Sequence, residues 1–349
     1  MTSWFPRKRG TALVIFVALC YAALLLLGWP LNSQDGAFHA KSRLVVLRPA
    51  PGFPARSPPS DEGNHVNEAN LVEDSDGGTK LEDLFLSVKT TGGFHHSRLD
   101  VILKTWFSLA RDQTYFFTDL DDPLYQMKTH GHLVNTKCSA SHNRNALCCK
   151  MSVELDTFVE SGKKWFCHFD DDNYVNVPRL VSLLQQYNPV EEWYLGKPSI
   201  RQPLQIVSRD TQKNITFWFA TGGAGFCISR ALALKMMPIA GGGKFISIGD
   251  RIRLPDDVTM GYIIEHLLGH NLTVSESFHS HLEPMKFLRK ESLSNQVTFS
   301  YSKFGGHTNV LSIEGFDRNL DPTRFLSLHC HLFPNFSFCN RSAVNSVYR

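Results

Sequence analysis

Three consecutive aspartates, Asp170, Asp171 and Asp172, follow the apolar run KWFCHF at residues 164–169. A short apolar run is typical of a buried strand, whereas three neighbouring carboxylates repel one another and resist burial. A solvated acidic turn is the simplest explanation, and an EF-hand does not fit, because its loop needs glycine at the sixth position. A third interpretation is an Asp-x-Asp element that holds a divalent cation against a diphosphate, and its position directly after a buried strand favours it. Such a metal neutralises charge on the leaving group.

A second acidic pair, Asp256 and Asp257, opens the segment DDVTMGYIIEHLLGH at residues 256–270. The later apolar residues recur at helical spacing, namely Ile263, Ile264, Leu267 and Leu268. The pair is therefore expected at a helix N-terminus, where a carboxylate caps free amides. Capping accounts for one of the two, so the other could serve as a general base.

Two histidines, His279 and His281, flank Ser280 in FHSHLE at residues 278–283. A single histidine is more often structural than a ligand. Imidazole combined with carboxylate suits manganese better than magnesium. Spacing alone leaves the structural and the metal-binding interpretations open.

From about residue 81, strand-like and helix-like stretches alternate along the chain. The strand candidates are 84–88, 114–118, 132–136 and 164–169, and the helix candidates are 97–112, 151–162 and 178–187. This alternation predicts an α/β fold with a mostly parallel central sheet flanked by helices, in which ligands bind beyond the carboxyl ends of the strands. The segment GGAGF at 222–226 lacks the third glycine of a dinucleotide fingerprint, and no phosphate-binding loop motif occurs. Dehydrogenase and nucleotide-triphosphatase functions therefore lose their main support.

Residues 11–29, TALVIFVALCYAALLLLGW, carry no charge and follow three basic residues at 7–9. About 20 apolar residues cross a bilayer, and the preceding positive charge places the N-terminus in the cytosol. A cleaved signal peptide is the alternative, but Gly-Trp-Pro at 28–30 is a poor cleavage site. We therefore expect a cytosolic tail at 1–10 and a type II signal anchor at 11–29.

A stem and a lumenal domain are expected to follow the anchor. Residues 49–80 hold five of the 17 prolines and few large apolar side chains, so 30–80 is expected to be a flexible stem. The folded domain is expected at 81–349. The net charge of +3 gives no indication of nucleic-acid binding.

Cysteines and glycosylation sequons agree with a secretory compartment. Seven of the eight cysteines follow the stem without a zinc-binding spacing, so disulfides are the better interpretation. The odd number leaves at least one cysteine unpaired unless it bridges two chains. Candidate N-glycosylation sites are Asn214, Asn271, Asn335 and Asn340.

Taken in order, these motifs resemble the Fringe family from about Leu81 to Cys339. The matching segments are VKTT (88–91), KWFCHFDDDNYVN (164–176), FWFATGGAGFCIS (217–229), RLPDD (253–257), GYIIE (261–265) and FHSHLE. The resemblance implies a GT-A fold and a Golgi-membrane β-1,3-N-acetylglucosaminyltransferase. It does not assign the chain to the Lunatic, Manic or Radical branch.

The same resemblance implies roles for individual residues in donor binding. Asp172 and His281 are the expected Mn²⁺ ligands. Asp171 and Arg98 are expected to contact the donor UDP-GlcNAc, with Asp170 as a further substrate-binding residue.

The resemblance also implies an acceptor and a base. Asp257 is the expected catalytic base, which deprotonates the 3-hydroxyl of O-linked fucose as UDP leaves with inversion. The fucose is expected on EGF-like repeats of Notch-type receptors. The implied disulfides are Cys138–Cys149, Cys167–Cys227 and Cys330–Cys339, which leaves Cys148 unpaired.

Three alternatives share part of this chemistry. A related β-1,3-glycosyltransferase would differ in its sugar or acceptor and keep the same metal and base. An inactive lectin-like homologue would keep the fold without turnover, although the intact acidic cluster and Asp257 argue against it. A metal-dependent phosphoesterase lacks its usual second carboxylate–histidine cluster.

Overall fold

The computed structural model describes residues 78–208 and 211–339, which fall within one compact unit. The expected tail, the anchor, nearly all of the stem and the sequon at Asn340 lie outside the described residues. Among the residues that are described, no single helix is long and apolar enough to span a membrane. One pair bent by 74°, Arg230–Ala240 with Lys244–Ile252, meets that test by length and composition alone.

The packed part of the chain has already begun at Thr79, which the sequence analysis assigns to the stem. Thr79 is 2% exposed. Its hydroxyl donates to the carbonyl of Leu184 at 3.4 Å and accepts from the indole of Trp165 at 3.1 Å. These contacts tie the residue to a helix and a strand of the domain.

The strands form one seven-stranded sheet and three two-stranded ribbons. They are β1 Leu84–Lys89, β2 Thr114–Thr118, β3 Leu133–Asn135, β4 Trp165–Asp170, β5 Asn173–Val175, β6 Tyr194–Gly196, β7 Leu204–Val207, β8 Asn214–Phe217, β9 Phe226–Ser229, β10 Thr273–Val274, β11 Thr298–Ser300, β12 Ser302–Phe304 and β13 His307–Asn309. The main sheet has the spatial order β10-β6-β9-β4-β1-β2-β3. Only β9 runs antiparallel to its neighbours in that sheet. The predicted mostly parallel sheet is confirmed.

Helices cover both faces of this sheet. They are α1 Asp100–Lys104, α2 Pro123–Lys128, α3 Arg144–Ser161, α4 Val177–Leu184, α5 Arg230–Ala240, α6 Lys244–Ile252, α7 Asp256–Gly261 and α8 Phe325–Leu332. Alternate residues of a strand point to opposite faces. Leu86 of β1 therefore joins the core with α1, α4 and α8, whereas Phe85 joins the core with α3, α5, α6 and α7.

One predicted helix, 97–112, is wrong as a continuous element. A π-helical turn at His95–Leu99 leads into the short α1, and 3₁₀ turns follow from Trp106. Thr105 interrupts the helix with φ −112° and ψ −114°, and its hydroxyl donates to the carbonyl of Val101 at 2.7 Å. A threonine side chain that bonds the preceding turn competes with the helical ladder.

The predicted helix at 151–162 is confirmed and begins earlier than expected. Its N-cap is Asn143, whose side chain accepts from the amide of Ala146 at 2.9 Å. It ends at Gly162, which has a φ of +73°. Its buried face includes Lys150 and Glu154 one turn apart, and this polar content hid the first half of the helix from a search for apolar periodicity.

A polar stripe crosses the α3 side of the sheet. In the parallel register of β1 and β4, Ser87 lies beside His168 and Lys89 lies beside Asp170. All four side chains are on the same face as Phe85, because they follow its period of two. Lys89 and Asp170 end their strands at the same sheet edge, which is where the functional residues gather.

The three expected disulfides are present, and Cys148 is free and buried. They are Cys138–Cys149, Cys167–Cys227 and Cys330–Cys339. Cys167 and Cys227 are direct partners in the antiparallel pairing of β4 with β9.

Candidate active site

The three aspartates have three different partners. Asp170 closes β4, and its Oδ1 lies 3.2 Å from the ammonium of Lys89. Asp171 pairs with Arg98, and Asp172 lies beside His281. The acidic run is therefore stable at a strand end because neighbouring elements supply cations for its first two carboxylates.

Asp171 is held by hydrogen bonds from two side chains. Nη1 of Arg98 donates to Oδ1 at 2.5 Å, and the hydroxyl of Thr90 donates to Oδ2 at 2.7 Å. Burial raises the pKa of Asp171 to about 6, although Arg98 and Thr90 act in the opposite direction. The guanidinium of Arg98 lies over the ring of Phe94 at 3.8 Å and remains partly exposed. Arg98 can therefore contact a ligand while it orients Asp171.

Helix α3 supports this arrangement from below through Lys150. Its ammonium donates to the carbonyl of Thr90 and to Oδ2 of Asp119, both at 2.7 Å. Lys150 is 4% exposed. The position of Thr90, and hence of its bond to Asp171, is fixed by this buried cation.

Asp172 and His281, which are 109 positions apart in the chain, come together as predicted. Nδ1 of His281 lies 3.3 Å from Oδ2 of Asp172. Two buried atoms, Nδ1 of His281 and Oδ1 of Asp172, have no hydrogen-bond partner. A buried carboxylate and an imidazole that face each other, with an oxygen and a nitrogen left without good hydrogen bonds, fit a divalent transition metal such as Mn²⁺.

Asp172 and His281 are two candidate ligands, and the described residues add no third one beside them. Within 78–208 and 211–339, no group of three or more His, Cys, Asp or Glu side chains is arranged to hold a metal ion. Two protein ligands leave several positions of an octahedral ion open, as in sites where substrate phosphates complete the coordination.

Asp257 lies across the site, in the first turn of α7. Its Oδ2 accepts from the amide of Gly222 at 3.1 Å, and its Oδ1 accepts from the amide of Val258 at 2.8 Å. Burial and the adjacent Asp256 raise the pKa of Asp257 to about 6, against the lowering effect of the two amides. A carboxylate with a pKa near neutrality is well matched to general base catalysis.

Helix capping was the simpler expectation for this acidic pair, but it does not account for Asp256. The N-cap position is Pro255, and no side chain caps it. Instead, Oδ2 of Asp256 accepts from the ammonium of Lys89 at 2.5 Å. Burial alone would lower the pKa of Lys89, but Asp170 and Asp256 raise it well above its ordinary value.

Lys89 is the functional residue that the sequence analysis missed. It lies within the quoted VKTT segment, yet its role depends on Asp256, 167 positions away. One signal was present, since LFLSVK and WFCHFD are apolar runs that end in opposite charges. Two such strands placed side by side in parallel bring those charges together.

The glycine-rich segment approaches both Asp257 and His281. A Cβ at Gly222 would lie 3.5 Å from Cβ of Asp257, and one at Gly223 would lie 3.1 Å from Cε1 of His281. Gly225 has φ +80° and ψ 159°, and a Cβ there would lie 2.5 Å from Cδ1 of Phe169. The glycines therefore permit the backbone to lie close to Asp257, His281 and Phe169.

A cavity of about 220 Å³ adjoins these residues on the side of β6. Its lining includes Thr221 and Ser280, which precede Gly222 and His281. Lys197, Arg201 and Glu283 add charged groups to the wall. Two residues of its wall are therefore the chain neighbours of Gly222, which bonds Asp257, and of His281.

The described sequons are on the surface. Asn214, Asn271 and Asn335 are all exposed. Their exposure is compatible with glycosylation, which stays a prediction.

The mixed sheet, with acidic residues following its fourth strand and a second acidic pair on a facing helix, is that of a GT-A glycosyltransferase fold. The family model described as Fringe-like matches residues 79–336. The chain belongs to the Fringe-like family.

Curated relatives agree with this membership. The chain is 68% identical over 265 residues to the Fringe glycosyltransferase of Drosophila melanogaster, a match that covers 75% of this chain and 64% of that protein. It is 53% identical over 266 residues to the β-1,3-N-acetylglucosaminyltransferase lunatic fringe of Bos taurus, covering 75% and 70%. It is 52% identical over 265 residues to radical fringe of Gallus gallus, covering 74% and 71%.

Proposed function

We propose that the protein is an inverting, Mn²⁺-dependent β-1,3-N-acetylglucosaminyltransferase. Its donor is UDP-GlcNAc, and its acceptor is O-linked fucose on EGF-like repeats of Notch-type receptors, whose signalling the added sugar modulates. The sugar and the linkage are supported by the lunatic fringe of Bos taurus and the radical fringe of Gallus gallus, both β-1,3-N-acetylglucosaminyltransferases. We further propose that the protein is a type II Golgi membrane protein with a lumenal catalytic domain.

The proposal rests on three groups of residues that lie together at one edge of the sheet. The metal-binding pair of Asp172 and His281, the Arg98–Asp171 ion pair and the partly desolvated Asp257 come from distant parts of the chain. A lectin needs no general base, and a phosphoesterase would use a metal-bound water rather than an aspartate directed at an acceptor hydroxyl.

On the donor side, Asp172 and His281 would hold the metal, and Arg98 and Asp171 would orient the nucleotide sugar. When bound, Mn²⁺ supplies positive charge that stabilises the departing diphosphate. Asp170 faces Lys89 and His168 within the protein. It would therefore affect donor binding mainly by fixing where Asp171 and Asp172 lie.

On the acceptor side, Asp257 removes the proton from the 3-hydroxyl of fucose as that oxygen attacks the anomeric carbon of GlcNAc. The carbon–oxygen bond to UDP breaks with its electron pair leaving on UDP, and the configuration inverts. The amide of Gly222 orients the carboxylate for this transfer. The cavity beside Thr221 and Ser280 offers room for the acceptor next to the base.

The test is an assay of the purified protein with Mn²⁺, a panel of UDP-sugars and a fucosylated EGF repeat. The wild-type protein is expected to transfer GlcNAc to the fucosylated repeat. Asp257→Asn is expected to lower the transfer rate by a factor of about 10² to 10⁴ while it still binds UDP. Asp250→Asn, an exposed carboxylate on the neighbouring α6, is the matched control and should transfer normally. Transfer of another sugar would favour a related β-1,3-transferase, and acceptor binding without turnover would favour a lectin.

A further inference from the structure

Glu154 of α3 and His168 of β4 form a fully buried pair behind the acidic cluster. Nδ1 of His168 lies 2.6 Å from Oε2 of Glu154, and the hydroxyl of Ser87 donates to the same oxygen at 2.7 Å. Both side chains of the pair are 0% exposed. The desolvation cost of such a pair offsets most of its attraction, so stability alone does not account for it.

The second ring nitrogen of His168 faces the active site. Nε2 is buried without a hydrogen-bond partner, and it lies 3.6 Å from Oδ1 of Asp170, which is also buried. On its other side, the same oxygen lies 3.2 Å from the ammonium of Lys89. The carboxylate of Asp170 is thus located between an imidazole and an ammonium group.

The contact with Glu154 determines how this imidazole can act. A carboxylate at Nδ1 makes that nitrogen a donor and fixes the plane of the ring. Burial lowers the pKa of His168 and the charge of Glu154 raises it, with a net value of about 9. The ring lies between the carboxylates of Glu154 and Asp170, which can only accept, so the contacts at Nδ1 and Nε2 both require an N–H donor from His168.

The separation of 3.6 Å is longer than a hydrogen bond. It is still within the range of an ion pair between an imidazolium and a carboxylate. The side chain of Asp170 is 26% exposed although its Oδ1 is buried, so His168 can hold the carboxylate from inside while the side chain remains accessible to a donor.

We propose that His168, held in its orientation by Glu154, is a positioning residue for the carboxylate of Asp170 and supports donor binding through that carboxylate. The inference rests on the proposed glycosyltransferase function for the identity of the donor. In this arrangement the imidazole of His168 determines where the carboxylate of Asp170 lies.

The test uses His168→Gln, Glu154→Gln and Asp170→Asn, with UDP affinity in Mn²⁺ measured by calorimetry and KM for UDP-GlcNAc measured by steady-state kinetics. His168→Gln and Glu154→Gln are each expected to weaken UDP binding and raise KM by about tenfold, as for residues that orient a ligand indirectly. Glu154→Gln is nearly isosteric and keeps an acceptor for Ser87, so it remains informative if His168→Gln does not fold.

A double mutant separates positioning from a general structural effect. In the Asp170→Asn background, His168→Gln is expected to weaken UDP binding by less than about twofold more, because its partner is already removed. The control is His329→Gln, which replaces another buried imidazole, bonded to Tyr174 at 2.7 Å. This control should lower the thermal midpoint without changing UDP affinity or KM.

Two results would overturn the inference. One is wild-type UDP affinity in folded His168→Gln and Glu154→Gln. The other is a full tenfold loss on adding His168→Gln to Asp170→Asn. UDP binding without GlcNAc transfer by the wild-type protein would count against the proposed function alone, because the effect of His168 is measured on binding.

Discussion

The ammonium of Lys89 donates a hydrogen bond to Oδ2 of Asp256 at 2.5 Å. It also lies 3.2 Å from Oδ1 of Asp170. A single cation at the end of β1 therefore joins the terminal carboxylate of β4 to α7, the helix that carries Asp257. The two halves of the site share this counter-charge.

Removing that charge is expected to cost stability. In Lys89→Met two carboxylates lose their cation, and Asp256 is only 5% exposed at its side chain. A loss of about 3 kcal/mol in the free energy of unfolding is expected, because an unpaired buried charge remains. Urea denaturation measures it. Lys137→Met, which removes a surface partner of Asp121, should leave the unfolding curve unchanged; equal curves for the two variants would contradict the prediction.

Acid should inhibit transfer through Asp257. Its pKa is raised to about 6, so the carboxylate is ionised above pH 6 and becomes protonated as the pH falls through that value. A protonated carboxyl cannot accept the hydroxyl proton, and kcat/KM should fall about tenfold per pH unit below the pKa. The measurement is a pH–rate profile of the purified protein. Because burial also raises the pKa of Asp171 to about 6, UDP binding at each pH must be measured to separate the two groups.

The two histidines of FHSHLE are expected to behave differently. His281 has an unpartnered Nδ1 beside Asp172, whereas the ring nitrogens of His279 lie 3.2 Å from Glu283 and 2.8 Å from Gln296. His281→Ala should weaken Mn²⁺-dependent UDP binding by at least about tenfold, as expected for the loss of an interaction at a metal site. His279→Ala should retain that affinity at some cost in stability. Calorimetric titrations of UDP with and without Mn²⁺ measure both variants. A larger loss of UDP affinity in His279→Ala than in His281→Ala would contradict the assignment of His281 as the metal ligand.

Gly225 is expected to resist substitution for two reasons. Its φ of +80° with ψ 159° is a conformation adopted almost only by glycine, and its Cβ would lie 2.5 Å from the ring of Phe169. Gly225→Ala should destabilise the protein by about 3 kcal/mol. Gly222→Ala is the matched control, since its nearest contact would be an ordinary 3.5 Å. Thermal unfolding of both variants tests the difference.

Most of the sheet could be predicted from local pattern. The runs that became β1, β2, β3 and β4 are short, apolar and bounded by polar residues, so burial on both faces is encoded within each run. The helix at 97–112 was wrong because one hydroxyl, that of Thr105, interrupts a spacing that looks regular in sequence. Propensity alone does not register this competition.

The site was predictable only where a resemblance supplied distant partners. Spacing could not pair Asp172 with His281, and it suggested capping for Asp256, whose true partner is Lys89. His168 counted as one position in an apolar strand, yet it bonds Glu154 on a helix. Such pairings depend on strand register and on which helix covers which face, and neither is local information.

The antiparallel direction of β9 decides what the backbone offers to the catalytic edge. Its entry lies beside the end of β4, where Phe226 pairs with His168. The turn that leads into β9 therefore brings an amide hydrogen, that of Gly222, to Asp257. If β9 ran parallel to β4, the C-terminal end of β9 and the connection after it would lie beside the end of β4 instead of this turn. Chain direction in one strand thus provides part of the electrostatics of the site, and substitution of side chains cannot transfer that contribution to another scaffold.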